Sequence, residues 1–352
     1  MPSHLPRALA VSPLLLFTAW CWYKADLIQM AAYCEAAVAK SQIVWDGGAL
    51  PIRWHFHPGS AALDDVWRGA TVAFAPSAFG FDEVAWWQMF SFLVDLGPVY
   101  AVMLLESCRA GMEGTIVYLP TLFTLGAQMF MGGNVFPVYY FLHLIFASPA
   151  SKLSMLPPRA RAADSLVGAP LLLPLILILH TAVIFVMYCA PDLSTRHLVT
   201  WGWQMVPAWI GIANYIAFKV MLRANKQARI LASPRLVLGV LGMVSAGVWV
   251  HMLASAPYDL ATIFVPTTDD PTGLTSHMRR ALQADHLASF GSTFLWLGYL
   301  FFDLWSAGSM GVREWASVVA ALPVMTMCAG PAAALVLGWL WRERVLTSAR
   351  KR

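Results

Sequence analysis

Eight runs of this chain are long and apolar enough to fill the hydrocarbon of a bilayer, and no other feature limits its fold as severely. A bilayer core of about 30 Å takes about 20 mostly apolar helical residues. The runs lie near Ala8–Tyr23, Ala85–Leu105, Thr115–Ala147, Leu166–Ala190, Val199–Lys219, Pro234–Ser255, Leu287–Trp305 and Trp315–Trp341. Hydrophobic residues make up 59% of the sequence and charged residues only 12%, outside the usual range of soluble domains. The expected fold is all-α: a polytopic integral membrane helix bundle of about eight transmembrane helices, forming one membrane domain over residues 1–352.

Several runs invite closer reading. Thr115–Ala147 is either one tilted helix or two pieces broken at Gly132-Gly133-Asn134 and Pro137, and a broken helix inside a bundle often lines a cavity. The first run has the length of a secretory h-region but no small-residue cleavage site after it, so a retained helix is expected. Residues Lys24–Val84 carry seven acids and the segment WDGGALPIRWHFHPGS, which reads as a long loop or small cap. Ala256–Asp285 reads as a second, turn-rich loop over a mouth of the bundle. No internal repeat is visible, which gives inverted-repeat transporter architecture no support. Lys and Arg divide too evenly to orient the bundle. The basic stretches Lys219–Arg235 and Arg342–Arg352 suit lipid headgroups, and nothing favours a nucleic-acid partner. The five cysteines show no paired spacing, so neither a disulfide framework nor a metal site is expected.

A charge at bilayer depth costs a few kcal/mol and usually faces the bundle interior or a watery cavity. Gln88, Ser91, Asp95 and Glu106 fall on one helical face, since 11 residues at about 100° each bring Glu106 to within about 20° of Asp95. They read as a carboxylate pair along a cavity wall or, alternatively, as a packing contact at Asp95 and an interfacial cap at Glu106. Asp285 and Asp303 lie about 27 Å apart along one helix. Asp285 suits either a site or the start of that helix, where the dipole favours an acid; Asp303 suits a site or the opposite headgroups. In GGNVFPVYYFLHLIF, Tyr139 and His143 share a face, and a Gly-Gly-Asn break gives Asn134 a place beside a cavity. The competing account of all three is interhelical hydrogen bonding and an aromatic belt. His180 and His251 read as packing residues. Sixteen Trp, nineteen Phe and ten Tyr exceed what two interfacial belts need, so some rings should line the interior, where their faces can stabilise a cation.

Other chemistries lack their residues. A diiron site needs several histidine boxes, and His55–His57 is the one close pair. The doublets Asp64-Asp65 and Asp269-Asp270 lack the third acid that a Mg²⁺-diphosphate site would need. SFGST at Ser289–Thr293 is a poor match to a framed serine nucleophile, and no P-loop or dinucleotide-type glycine loop is present.

In GGNVFPVYYFLHLIF and ADHLASFGSTFLWLGYLFFDLW the chain resembles fungal membrane-bound terpene cyclases of meroterpenoid biosynthesis, the ascochlorin/ascofuranone-type group, over about Phe74 to the last span. The resemblance implies an enzyme without metal or cofactor. It would protonate the epoxide of a prenylated aromatic or polyketide and steer the resulting cation into rings. The DxDD motif of soluble protonation-initiated cyclases is absent, with Thr267 standing where its first acid would be. The four acids are the expected catalytic groups: Asp95 and Glu106 as proton donor and supporting acid, Asp303 or Asp285 as a second acid or base. Asn134, Tyr139, His143 and Ser91 are the expected substrate contacts. Burial disfavours the charged form of a carboxyl, which suits a proton donor. The expected partners are a lipophilic prenylated substrate, membrane lipid and enzymes of the same pathway, in a membrane of the endoplasmic reticulum. Two rival readings use the same carboxylates differently: a proton-coupled carrier of a lipophilic metabolite, and a non-catalytic receptor or scaffold in which they serve helix packing.

Overall fold

The computed structural model describes residues 5–55, 59–109, 111–112, 114–155, 171–223 and 233–348. His57 of the histidine pair and the first residues of the fourth expected span lie outside them. The described chain is all-α apart from one two-stranded antiparallel hairpin. Five helices are long and apolar enough to cross a membrane: α5 (Glu83–Ser107), α9 (Leu172–Cys189), α12 (Pro234–Ser255), α14 (Leu274–Ser306) and α15 (Val312–Ala329). A sixth is formed if α1 (Leu5–Val11) and α2 (Leu14–Ala25), bent by 47°, count as one.

The difference from eight uniform spans has local causes. The long third run breaks at Met131, whose φ of 70° and ψ of 143° no helix accommodates. It becomes α6 (Pro120–Phe130) and α7 (Gly132–Phe146). The two pack antiparallel, with the Phe123 and Tyr139 rings 5.1 Å apart, so the chain turns back at Met131. Pro137 lies inside α7 without ending it. The fifth run divides into α10 (Leu193–Trp203) and α11 (Val206–Arg223). The eighth turns at Gly330, whose φ of 86° suits glycine, into α15 and α16 (Pro331–Ser348).

Residues 24–84, expected as a long loop or small cap, hold α3 (Leu27–Ala39), β1 (Gln42–Trp45) paired with β2 (Gly48–Pro51), and α4 (Ala61–Ala78), a structured cap. Ser60 starts α4 by accepting a hydrogen bond from the Leu63 N–H, the usual role of an N-cap hydroxyl. Asp82 does the same for α5 through the Ala85 N–H.

Beyond α7 lies the short α8 (Ala150–Met155), and the second expected loop is also largely helical, with α13 (Leu260–Phe264) ahead of α14. α14 begins at Leu274, roughly three turns before the apolar run, and extends for 33 residues. Hydropathy misses those turns because they are polar, but Asp82 and the segment just before the helix satisfy them. Arg279 Nε donates to Asp82 Oδ2 at 2.7 Å, and Gln283 Nε2 donates to the carbonyls of Thr262 and Ile263, each at 2.9 Å. Asp285 therefore sits well inside a helix and not at its start, so the dipole at the α14 N-terminus does not account for it.

Candidate functional site

A cavity of about 740 Å³ lies between the cap and the bundle. α5 presents Met89, Phe92, Leu93, Leu96 and Tyr100 to it, a stripe at spacings of three, four, seven and eleven residues, as one helical face requires. Trp203 of α10 and Phe74 of α4 add rings to the wall, while Cys34, Trp54 and Arg68 come from the cap. Burial pushes the Cys34 thiol up to about 12, with the Glu35 charge adding to the effect, so this cysteine is a wall group and not a thiolate nucleophile. The turn between α6 and α7 closes another side with Gln128, Met131 and Gly132.

Asp285 is the acid on the bundle side of this chamber. It is held from two directions onto one oxygen: the Gly133 N–H and the Ser289 hydroxyl both donate to Oδ1, the latter at 3.3 Å. The two glycines at the start of α7 make this approach possible. A Cβ on Gly133 would meet Cys21 Sγ at 2.7 Å and Ala288 Cβ at 2.8 Å, and one on Gly132 would meet Ser289 Oγ at 2.8 Å. The N-terminal end of a 15-residue helix thus faces a carboxyl group, an arrangement that backbone N–H groups and the helix dipole favour. With Oδ1 already accepting two hydrogen bonds, a proton on this acid belongs on Oδ2.

The expected pairing of Asp95 with Glu106 is not formed. Gln88, Ser91 and Asp95 share a face, as their spacing predicts, but it turns away from the cavity into helix contacts. Gln88 Nε2 donates to the Leu282 carbonyl at 3.2 Å and meets His286 Nδ1 at 3.3 Å, both on α14. Asp95 Oδ1 accepts the hydroxyl of Ser245 on α12. The α5 face that meets the chamber is the apolar one beside it.

Glu106 lies in a second polar centre, away from the chamber. Its Oε1 accepts from Arg109 Nη2 at 2.5 Å, Trp339 Nε1 at 2.7 Å and Arg342 Nη1 at 2.8 Å; its Oε2 accepts from Arg109 Nε at 2.9 Å. His143 Nε2 stands 3.3 Å from Oε2. Trp296 Nε1 donates to His143 Nδ1 at 3.1 Å, so that nitrogen is the acceptor and the ring carries its proton on Nε2, toward Glu106. Glu343 completes the group, 2.8 Å from Arg109 and 3.1 Å from Arg342. Two arginines balance two glutamates in a fully buried cluster that fastens α5, α7, α14 and α16 together. Arg342 belongs to this cluster and not to a headgroup-facing tail.

The remaining expected residues also have packing partners. Asn134 Nδ2 donates to the Phe130 carbonyl at 2.8 Å and so closes the end of α6. Tyr139 donates to the Met103 carbonyl at 3.3 Å. Asp303 is paired with Arg7 at 2.8 Å and remains 29% exposed. His180 meets the Leu93 carbonyl at 2.8 Å from a π-helical stretch, Ile176–Ala182; His251 lies beside Ser255. Of the eight expected site residues, Asp285 is the one among the residues lining the cavity. Tyr100, Arg68, Gln128 and Trp203 were not expected there. The three- and four-residue spacing of apolar residues along α5 was the one sequence signal for that wall.

The geometry defines a helical protein with an apolar, ring-lined chamber and one acid set into its bundle side. The chain belongs to the CtvD domain family, whose model matches residues 14–347. It is 29% identical over 363 residues to FAD-dependent monooxygenase verC1 of Penicillium polonicum, covering 99% of this chain and 44% of that protein. It is 28% identical over 304 residues to FAD-dependent monooxygenase anuJ of Penicillium roqueforti, covering 83% of this chain and 36% of that one. With FAD-dependent monooxygenase BOA8 of Botryotinia fuckeliana the identity is 23% over 271 residues. The chain thus spans less than half the length of each of these relatives, and no solved structure matches it. The relatives carry monooxygenase names, not the cyclase name that the sequence resemblance suggested.

FAD does not fit the residues described. Dinucleotide sites are built on a glycine-rich turn between a parallel strand and a helix. The sheet among the described residues is a two-stranded antiparallel hairpin, and the chamber walls are mainly hydrocarbon and rings.

Proposed function

We propose that the chain is a membrane-bound enzyme that opens an epoxide on a lipophilic, prenylated aromatic or polyketide substrate by proton donation and directs the cation into ring closure. One observation carries this reading: Asp285, the acid on the bundle side of the chamber, has both its hydrogen bonds on Oδ1, which leaves Oδ2 to hold a proton for a guest. The chamber volume is in the range of small-molecule sites.

In the reaction the Oδ2–H bond breaks as the proton passes to the epoxide oxygen, whose C–O bond opens. The π electrons of a neighbouring alkene form the new C–C bond, and the positive charge moves along the chain. Loss of a proton from the last cation restores the acid, so the product is an isomer of the substrate. The rings of Phe92, Tyr100, Phe74 and Trp203 offer negative faces to the travelling charge, and the walls exclude water that would otherwise capture it. We assign the flavin chemistry named for the relatives to the part of them that this chain does not match; an epoxide is the kind of product a monooxygenase supplies. The substrate arrives from a membrane, of the endoplasmic reticulum in this reading, and other enzymes of the pathway act on either side of the step. Neither the relatives' names nor the chamber favours the carrier reading.

The roles shift among the four acids. Asp285 takes the donor's part first given to Asp95, while Asp95, Glu106 and Asp303 hold helices together. Membranes containing the chain, given a farnesyl-type aromatic epoxide, should yield a product of unchanged mass and new retention time. Asp285→Asn should lower the rate by about 10²- to 10⁴-fold, the usual contribution of a positioned acid, and Asp95→Asn by less than about tenfold. Equal losses in the two variants, or wild-type activity in Asp285→Asn, would remove the assignment.

A further inference from the structure

Arg68 is the buried charge that the reaction leaves unused. It lies on α4, 2% exposed, and lines the same chamber as Asp285. Its guanidinium carbon lies 3.9 Å from the centre of the Trp54 ring, and Nη2 donates to the Ser41 hydroxyl at 2.9 Å. The nearest carboxylate, Asp65, is 3.8 Å from Nη1 and is itself 60% exposed, too long for a hydrogen bond and largely screened by solvent. Nε has no hydrogen-bond partner among the described residues. A guanidinium has five N–H donors and no acceptor, and leaving donors of a buried cation unmet is costly. The contrast with Arg109 and Arg342, each meeting carboxylates at 2.8 Å, shows how this chain satisfies a buried arginine when the charge serves only packing.

We propose that Arg68 is the head-group anchor of the chamber, taking a carbonyl or phenolic oxygen of the substrate's ring system at the cap while the prenyl chain extends toward Asp285. The planar guanidinium suits this task, since it can stack on a ring and donate in its own plane to oxygen acceptors. The chamber then has a polar end on the cap helix α4 and an acid on the bundle helix α14, which fixes the direction in which a long substrate enters. A hydrocarbon lacking the oxygenated head would leave the guanidinium unmet and bind weakly, as sites built around a polar contact reject analogues without it. This assignment rests on the proposed function only in that the guest is lipophilic and prenylated.

The test uses binding, so that it does not depend on turnover. The full chain in lipid nanodiscs is titrated by calorimetry with farnesylresorcinol and with farnesylbenzene, neither carrying an epoxide, against empty nanodiscs as blank. Wild type should prefer the resorcinol by about 10- to 100-fold more than the blank does, the effect of one hydrogen bond to a charged group. Arg68→Gln should abolish that preference while still binding farnesylbenzene, and Arg68→Lys should keep part of it. Lack of preference in the wild type overturns the anchor without any variant, and so does full preference in a folded Arg68→Gln. Preference for the resorcinol combined with failure to isomerise any epoxide would leave the anchor standing and remove the proposed reaction; turnover without preference would do the reverse.

Discussion

Asp285 and Glu106 are both carboxyl groups buried in the same bundle, yet their surroundings give them opposite capacities. Glu106 receives hydrogen bonds on both oxygens from Arg109, with Arg342 and Trp339 added on Oε1. Every direction from which a substrate could approach is filled by a donor. Asp285 receives neutral donors on one oxygen only and lines a chamber. Neither burial nor a free oxygen identifies a working acid by itself, since Asp95 Oδ2 is also without a partner among the described residues; the chamber beside Asp285 does. A carboxylate matched by two guanidinium groups acts as a rivet, whereas one with an open oxygen can exchange a proton.

The sharpest way to break this contrast is to neutralise each acid in turn. Glu106→Gln should destabilise the fold by about 3–5 kcal/mol, since removing one member of a buried ionic group strands the others. Thermal unfolding of the purified protein would report it, while the rate per folded molecule stays within about threefold. Asp285→Asn should do the converse, losing rate at nearly unchanged melting temperature. A Glu106→Gln protein that melts normally but is inactive would reverse the two assignments.

Gly133→Ala tests the link between the α6–α7 turn and the acid. The added methyl meets Cys21 and Ala288 at under 3 Å, and such overpacking costs about 1–3 kcal/mol. Because the Gly133 N–H holds Asp285 Oδ1, turnover should fall further than stability predicts, and a stability loss with unchanged kcat would separate the turn from the chemistry. The smallest effect belongs to Asp303→Asn. This partly exposed pair with Arg7 contributes about 0–1 kcal/mol, so neither melting nor rate should change measurably; a large loss of rate would return Asp303 to the site.

The helical class and most of the long apolar helices were legible in the sequence because a hydrophobic run of bilayer length rarely suits anything but a membrane helix. The turns of α14 before Asp285 were not, because their polar side chains pair with Asp82 and the segment just before the helix and register as loop in hydropathy. Gln88, Ser91 and Asp95 do share a face, as their spacing said. What periodicity could not say is which face of a fully buried helix meets a cavity and which meets α12 and α14. Asp285 stood behind Asp95 and Glu106 as a second acid or base until its place in the chamber wall, beside the Gly132-Gly133 approach, distinguished it. Arg109 stands three residues after Glu106, a spacing that pairs side chains on a helix; Arg342 and Glu343 are more than 230 residues away in sequence, and only the folded chain unites them.

The turn at Met131 also bears on how such a chain is assembled. Irregular backbone inside a helical bundle needs a cover of protein if the bundle lies in lipid. The tip that meets Asp285 packs against α2 and α14, which lie far apart in the sequence. Both helices contribute to the packing that places the Gly133 N–H against Asp285. The hydrogen bond from the Gly133 N–H to Asp285 Oδ1 exists only in that packing, which ties the geometry of the chamber's acid to the completion of the fold.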